Sequence, residues 1–521
     1  MQLLHCWRMR FRTAFCSAFV VRHVRQERPR STHYPDGVND AEVINPFVYL
    51  QRNAEANPSG VFVETATQKV LNSEAFELAK KIAYEFRHLG VKPGDLVALD
   101  LPETLSMIFA EAAFHEAAVS TVLPHGYVAD GLFAIDWIFS SATPAPAAHG
   151  GARVISVDAA FLQRVEQNPY GITPRDFDSE LSTARLVFSS GTTGRANAME
   201  YSLGMLEYCT DAAADTWLAG DPCLTLFPTA TPFGFFAFYL SVKIGKPYWS
   251  VEAGDPANII EIALRSSATA LRASPAQLAG LVDVLEARNQ TLPAVREALT
   301  VGSVMPPALS ARVRAATDGC VIQNLYGSTE GTVARLRLTD SDDPFDGGQP
   351  HPRSDVQIVD ENHVEVPDGQ IGRIRHKSAY MIQEYVGNPA ATLEAFTDGW
   401  FYPGDLGLIR PDGGLTLTGR VSEVLNAGGV KVDPATLDLF AVTHPLVSDA
   451  ASFEYESNTG LKQIGIVLVT EDGLDVQALI RDFGTQFGGA APKLVARIDE
   501  IPRNTMGKPM RRALAEQYKQ S

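Results

Sequence analysis

The sequence predicts an α/β fold: a large N-terminal body of layered strands and helices with a β-rich subdomain, followed by a small α+β C-terminal domain. From about residue 45 to 345, short apolar runs alternate with helical patterns, which is typical of parallel sheets with crossover helices. Short β-rich pieces separated by Gly, Pro and Asp follow to residue 419. The last segment has strands and helices of its own, so we expect domains at 45–419 and 420–521.

The elements of the body can be assigned in order along the chain. A first helix has apolar residues at helical spacing from Ala75 to Leu89, and Gly90 suits the left-handed cap that ends a helix. Strands are predicted at 96–101, 119–123, 153–157, 186–189, 224–227, 268–271 and 319–325. Further helices are predicted near 104–116, 202–217, 256–266, 275–288 and 307–316. The C-terminal domain has predicted strands at 464–470 and 495–498 and helices near 434–440 and 475–486.

The composition is that of a globular chain and excludes several classes of protein. With 521 residues, 45% of them hydrophobic and 20% charged, the chain can bury a large core. A net charge of −17 disfavours nucleic-acid binding, and no apolar run approaches the ~18 residues of a membrane span. The five cysteines are scattered without a CxxC pair, which excludes a disulfide framework and favours a reducing compartment. We therefore expect a cytoplasmic protein.

The N-terminal segment differs from the rest of the chain. Its first thirty residues contain seven Arg and one acidic residue, Glu27. An Arg-rich targeting peptide is one interpretation of this charge. We expect residues 1–44 to be a disordered or mis-assigned start, outside the fold.

A Ser-, Thr- and Gly-rich loop interrupts the predicted strand at 186–189. The stretch reads Leu-Val-Phe-Ser-Ser-Gly-Thr-Thr-Gly-Arg from Leu186 to Arg195. Such a loop offers backbone N–H groups and hydroxyls to an anion, although an ordinary turn is the commoner origin of this composition. No Gly-Lys-Ser/Thr follows at the right spacing, so the loop is not the P-loop of the NTPases.

Two more motifs carry polar residues, the first at the end of the predicted strand at 319–325 and the second with an acid after a Pro-Gly turn. In Asn324-Leu-Tyr-Gly-Ser-Thr-Glu330, an aromatic ring can stack on a base, a hydroxyl can donate to a phosphate and the glutamate can hold Mg²⁺. In Gly399-Trp-Phe-Tyr-Pro-Gly-Asp405, the acid can accept two hydrogen bonds from a ribose diol. For each motif, a surface turn is the alternative explanation.

The last two motifs are weak individually, because Arg and Lys in loops are usually solvated. They are Gly419-Arg420-Val-Ser-Glu423 with Gly428-Gly429, and Pro502-Arg-Asn-Thr-Met-Gly-Lys508. In their order and separation, the five stretches resemble the core motifs of the adenylate-forming superfamily of acyl- and aryl-CoA ligases, peptide-synthetase adenylation domains and luciferases. The resemblance extends from about residue 45 to 515 and is closest to the acyl- and aryl-CoA ligases.

The resemblance implies a two-step reaction. ATP activates a small-molecule carboxylic acid to an acyl-adenylate, and the acyl group then passes to the thiol of CoA. The phosphopantetheine of an acyl or aryl carrier protein is an alternative acceptor. A non-catalytic nucleotide-binding homologue is a third possibility.

The resemblance also implies roles for individual residues. The residues expected to bind the outer phosphates of ATP are Ser190, Gly191, Thr192, Thr193 and Gly194. Thr329 would contact the α-phosphate, and Glu330 would bind Mg²⁺. The residues expected at the adenine are Gly302, Ser303 and Tyr326. At the ribose, the expected residues are Asp405 and Arg420. Lys508, on a mobile C-terminal lid, would bridge the carboxylate and the α-phosphate. Rotation of the lid about Ser422 would then bring Gly429 to the thioester tunnel.

The chain departs from the family pattern at three positions. Asn197 stands where the phosphate loop usually has a lysine, which predicts slower adenylation or altered ATP affinity. The hinge, usually Asp or Lys, is Ser422, and a histidine of the acyl-pocket segment is replaced by Thr231. Phe233 and Phe235 in that segment suggest an apolar pocket wall, with simple core packing as the alternative. We expect an aromatic or medium-chain aliphatic acid.

Overall fold

The computed structural model describes residues 43–123, 134–142, 151–189, 197–216, 222–251, 256–266, 268–337, 345–421, 425–427, 430–457, 462–503 and 509–518. The helices are α1 (Phe47–Ala56), α2 (Asn72–Leu89), α3 (Glu103–His115), α4 (Ala159–Glu166), α5 (Leu203–Thr216), α6 (Pro232–Lys243), α7 (Pro256–Arg265), α8 (Pro275–Ala287), α9 (Pro307–Ala316), α10 (Pro389–Ala395), α11 (Pro434–Val442), α12 (Val476–Phe487) and α13 (Arg511–Gln517). Each helix predicted from the sequence is confirmed. The assigned end of α2 is also confirmed, because Gly90 has a φ of 95°.

The strands follow the same chain-order numbering. They are β1 (Val61–Glu64), β2 (Lys69–Leu71), β3 (Leu96–Asp100), β4 (Val119–Val122), β5 (Trp137–Ser140), β6 (Arg153–Ser156), β7 (Thr183–Phe188), β8 (Ala198–Ser202), β9 (Cys223–Thr225), β10 (Tyr248–Ser250), β11 (Ala270–Ala273), β12 (Glu297–Val301), β13 (Val321–Ser328), β14 (Gly331–Arg337), β15 (Asp346–Pro350), β16 (Ser354–Val359), β17 (Gly372–Ser378), β18 (Phe396–Thr397), β19 (Trp400–Phe401), β20 (Asp405–Ile409), β21 (Leu415–Arg420), β22 (Leu425–Ala427), β23 (Val430–Val432), β24 (Val447–Glu456), β25 (Lys462–Thr470) and β26 (Leu494–Arg497).

Two large sheets form the body. The first has the order β6-β5-β3-β4-β7-β8, parallel except for β8, which returns antiparallel beside β7. The second runs β18-β19-β17-β20-β21-β15-β14-β13-β12-β11-β9-β10-β1-β2, with β16 paired to β17. Its strands β13, β12, β11, β9 and β10 are parallel, and the strands from β13 to β21 are antiparallel. The expected mixture of a parallel layered body and a later β-rich part is therefore confirmed.

The apolar residues of these elements form separate buried clusters. The largest packs α2, α3 and α6 with the first sheet, and a second fills the space around β9, β11, β12 and helices α7 to α9. Two more clusters consist only of residues after 424. The domain boundary at 419–420 stays a prediction. In the part of the chain with described coordinates, no helix is both long and apolar enough to span a membrane.

A buried ion cluster joins α2 to the end of α3. The Glu116 carboxylate, with 0% of its side chain exposed, accepts from Arg87 Nη2 at 2.6 Å and lies 3.1 Å from Arg175 Nε. His115 Nδ1 lies 2.9 Å from the same carboxylate. Burial by itself raises the pKa of Glu116, but the contacts with His115 and Arg87 outweigh it and leave the pKa lowered.

We expect Glu116→Gln to lower the free energy of unfolding by about 3 kcal/mol, because it removes a fully buried anion that two half-buried arginines share. The difference in free energy of unfolding between the variant and the wild-type chain should reach its full value above a pH of about 4.3, the pKa of a glutamate in the unfolded chain. It should shrink as the pH falls below that value. Thermal melting across pH measures both effects. The matched control is Glu286→Gln, which breaks an exposed pair with Arg312. Equal midpoint shifts for the two variants would contradict this account.

Candidate active site

The predicted phosphate-binding loop belongs to the chain between β7 and β8, which pair as a hairpin. The hairpin is closed at Ser189, whose backbone N–H donates to Asn197 O at 2.9 Å. Asn197 N donates to Ser189 Oγ at 3.2 Å, and the Asn197 side chain accepts from Asn388 Nδ2 at 2.9 Å. The residue that replaces the loop lysine is thus a neutral contact at the base of the loop. Loop residues 190–196 lie outside the described residues.

Glu330 and Thr329 form the two-residue turn between β13 and β14. Glu330 is only 6% exposed. Its Oε1 accepts from Tyr385 Oη at 2.6 Å, and its Oε2 accepts from Thr329 Oγ1 at 3.0 Å. In the described structure, no Lys or Arg forms an ion pair with this carboxylate. A buried negative charge held only by neutral hydroxyls favours a cation next to it.

Two tyrosines fix this turn. Burial, followed by the charge of Glu330, raises the pKa of both Tyr385 and Tyr201. Both therefore stay protonated donors at neutral pH. Tyr201, on β8, donates to the backbone oxygen of Thr329, so the hairpin that carries the phosphate loop also holds the Thr329–Glu330 turn.

A short segment after β17, residues 385–388, links Glu330 to the β8 end of the β7–β8 hairpin. Tyr385 binds Glu330, Val386 N donates to Ala198 O at 2.8 Å, and Asn388 binds Asn197. Three successive contacts thus join the base of the phosphate loop to the buried carboxylate. Sequence reasoning missed this segment, and no periodicity or motif in it signals the role.

A second buried carboxylate, Asp405, lies between two partners. It starts β20 and is directly opposite Arg420, which ends β21. Arg420 Nε donates to Asp405 Oδ1 at 2.5 Å, and Tyr326 Oη donates to Oδ2 at 2.6 Å. Burial, followed by the Asp405 charge, raises the pKa of Tyr326 well above its usual value. The structure therefore brings together three residues that the sequence placed in three separate motifs.

The predicted adenine-side residues lie beside Tyr326. Val301 of β12 is opposite Leu325 of β13, so Gly302 and Ser303 follow directly where β12 ends. Gly302 has a φ of 99°, which a residue with a side chain rarely adopts. The chain can therefore turn away at this point next to the Tyr326 strand.

The predicted acyl-pocket residues lie at the start of α6. Thr231 is the N-cap: its Oγ1 accepts from Gly234 N at 3.1 Å and donates to Pro228 O at 2.8 Å. Phe233 is half-buried, with its ring centroid 5.1 Å from that of Phe227. Phe235 is 1% exposed and belongs to the largest buried cluster. These contacts fit core packing for Phe235 and leave Phe233 nearer the surface of the segment.

Comparisons with known proteins agree with this geometry. The family model described as AMP-binding enzyme matches residues 138–386, which include the β7–β8 hairpin, Glu330 and Tyr385. A 2-succinylbenzoate–CoA ligase from Bacillus licheniformis is 25% identical over 485 residues, covering 89% of this chain and 98% of the relative. The medium/long-chain-fatty-acid–acyl-carrier-protein ligase FadD10 from Mycobacterium tuberculosis is 27% identical over 393 residues, covering 70% of this chain and 72% of the relative.

By these matches, the chain is similar to enzymes of the adenylate-forming superfamily. Its fold agrees with this similarity. The ATP-bound structure of MatB from Rhodopseudomonas palustris has a TM-score of 0.79 at 22% identity and covers 91% of this chain and 99% of MatB.

Some of the predicted residues cannot be placed. Ser190, Gly191, Thr192, Thr193, Gly194, Ser422, Gly429 and Lys508 lie outside the described residues. Their roles, including that of Lys508 on a mobile lid, stay predictions.

Proposed function

We propose that this chain is an AMP-forming acid–thiol ligase that activates a carboxylic acid with ATP and transfers the acyl group to CoA. The main support is the shared geometry of two buried carboxylates, one bound by Tyr326 and Arg420 and one bound by Tyr385. The first suits a ribose and the second suits a phosphate-bound cation. The match to nearly the full length of a CoA ligase gives independent support.

The reaction has two steps. In the first, a carboxylate oxygen attacks the α-phosphorus, an O–P bond forms, the bond to the β-phosphate oxygen breaks, and pyrophosphate leaves. In the second, the thiol sulfur of CoA attacks the acyl carbon, the bond to AMP breaks, and the thiol proton is released. The protein mainly orients the reactants and offsets charge as it develops.

For the nucleotide, we propose that Asp405 accepts hydrogen bonds from the two ribose hydroxyls. Arg420 donates to one carboxylate oxygen of Asp405 and Tyr326 donates to the other. Each oxygen therefore has a further lone pair that can accept a hydrogen bond. The ring of Tyr326 packs against the adenine beside Gly302 and Ser303. Thr329 contacts the α-phosphate, and the hydroxyls and backbone N–H groups of residues 190–194 hold the outer phosphates.

Glu330 is the proposed ligand of Mg²⁺. Its donors are the hydroxyls of Tyr385 and Thr329, which leave further lone pairs on the carboxylate oxygens for a cation. A single carboxylate with phosphate oxygens is a common Mg²⁺ environment. When bound, Mg²⁺ supplies positive charge to the phosphates of ATP.

For the acid, we propose an aromatic or medium-chain aliphatic substrate. Phe233 is half-buried at the start of α6, where it offers an aromatic surface next to Thr231. The 2-succinylbenzoate of the Bacillus relative is itself an aromatic acid. The acceptor has one competing candidate, a carrier-protein thiol, because FadD10 is a ligase for an acyl carrier protein.

We expect ATP–pyrophosphate exchange that depends on the added acid, with the highest rates for aromatic or medium-chain acids. Exchange reports adenylation alone, because it needs no acceptor. The absence of exchange with every acid of a broad panel would favour a non-catalytic nucleotide-binding protein. Adding CoA or a phosphopantetheinylated carrier protein then separates the two ligase functions by the thiol that becomes acylated.

Asp405→Ala should raise the Kd for ATP about 10-fold or more, because hydrogen bonds to a charged group contribute about 1.5–3 kcal/mol each. Isothermal titration measures the change. The matched control is Asp412→Ala, which removes an exposed carboxylate from the turn between β20 and β21. Unchanged ATP affinity in a folded Asp405 variant would remove this residue from the proposed ribose site.

Lys508→Ala should slow acyl-adenylate formation about 100-fold or more, a typical loss for a charge-stabilising group. Thioester formation from preformed acyl-AMP should stay within about 3-fold of the wild-type rate, because the lid has removed the lysine by that step. Single-turnover assays measure each half-reaction. Lys493→Ala, which changes an exposed lysine in the same domain, is the control. Equal loss in both half-reactions would contradict an alternating lid.

A further inference from the structure

An unusual buried arginine lies in the strand that leads into the phosphate loop. Arg185 of β7 is 1% exposed, and no carboxylate in the described structure lies within ion-pair distance of its guanidinium. Its Nη1 donates to Ser120 Oγ at 3.0 Å, and its carbon Cζ lies 4.1 Å from the ring centroid of Phe235. Burial lowers the pKa of Arg185 to about 9, so the group is still cationic at neutral pH.

The second guanidinium nitrogen binds the backbone of the acyl-pocket segment. Arg185 Nη2 donates to Thr229 O at 3.0 Å. Glu103, at the start of α3, accepts from Thr229 N at 2.7 Å. Both backbone polar groups of one buried loop residue are therefore bound by side chains from two other elements, the Arg185 guanidinium and the Glu103 carboxyl group, whose pKa burial raises. A hydrogen bond from a charged donor such as Arg185 is about twice as strong as a neutral one.

The bound residue lies immediately before the proposed pocket. Thr231, two residues after Thr229, caps α6 through Gly234 N and donates back to Pro228 O. The segment that carries Thr231 and Phe233 is thus held at both ends, by Thr229 and by the helix cap. Because Arg185 lies on β7, it also connects this segment to the strand that carries the phosphate loop.

We propose that Arg185, together with Glu103, is a positioning residue that fixes the acyl-pocket segment relative to the phosphate-loop strand and thereby sets which carboxylic acid is accepted. The inference rests on the proposed ligase function. Burying a guanidinium without a directly paired carboxylate is unfavourable for folding. A neutral donor is sufficient to satisfy one carbonyl, so stability alone is a poor reason for an arginine here.

The test compares Arg185→Met with Arg185→Lys over a panel of acids. The Met variant should raise the KM for the acid 10-fold or more and change the order of preference among acids of different length. Its KM for ATP should stay within about 3-fold of the wild-type value. Lys keeps the charge but lacks the second donor arm, so it should restore part of the acid preference.

Arg175→Met is the matched control, because Arg175 also binds a backbone oxygen, that of Val91, and a buried carboxylate, that of Glu116. It should lower the thermal midpoint and leave the order of acid preference unchanged. If Arg185→Met lowers only the midpoint, or if both variants change acid KM equally, the positioning role is wrong.

A second variant covers the case in which Arg185→Met does not fold. Glu103→Ala removes the opposite contact to Thr229 and should change acid KM and preference in the same direction. Unchanged acid preference in this variant overturns the proposal. Failure of the ligase function itself is distinguishable, because the wild-type chain would then show no acid-dependent exchange.

Discussion

The candidate site depends on one buried negative charge, the carboxylate of Glu330. Its hydrogen-bond partners in the described structure are the hydroxyls of Tyr385 and Thr329, so the charge is oriented without being neutralised. The segment that supplies Tyr385 also binds the base of the phosphate loop through Val386 and Asn388. Displacing this segment would therefore affect the proposed cation ligand and the proposed phosphate loop together.

The pairing of Tyr326 with Asp405 requires a strongly curved sheet. Their strands are separated by β14, β15 and β21, and four strand spacings on a flat sheet amount to about 19 Å. The 2.6 Å hydrogen bond between the two side chains shows that the sheet bends until the end of β13 faces the start of β20. Sheet twist and the antiparallel hairpins after β13 make this bend possible.

Two residues that depart from the family pattern, Asn197 and Thr231, make specific local contacts. Asn197 binds Asn388 and closes the hairpin with Ser189, so the position has a neutral role at the base of the loop. Thr231 is a helix cap for α6, which explains why a small hydroxyl side chain fits there. Neither position is among the described hydrogen-bond partners of Glu330, Asp405 or Arg420, the residues of the proposed nucleotide site.

The sequence by itself determined the elements and the motifs, because hydrophobic periodicity and glycine caps such as Gly90 are local properties. It also placed Tyr326 and Glu330 near the end of a strand, where ligands of α/β sheets bind, and Asp405 after a Pro-Gly turn. Only the tertiary structure decided which residues distant in sequence come into contact. Tyr326 and Asp405 are 79 positions apart, and Glu330 and Tyr385 are 55 positions apart. Arg185 and Thr229 likewise meet only in the fold. Such contacts depend on sheet curvature and strand order, and no local pattern encodes them.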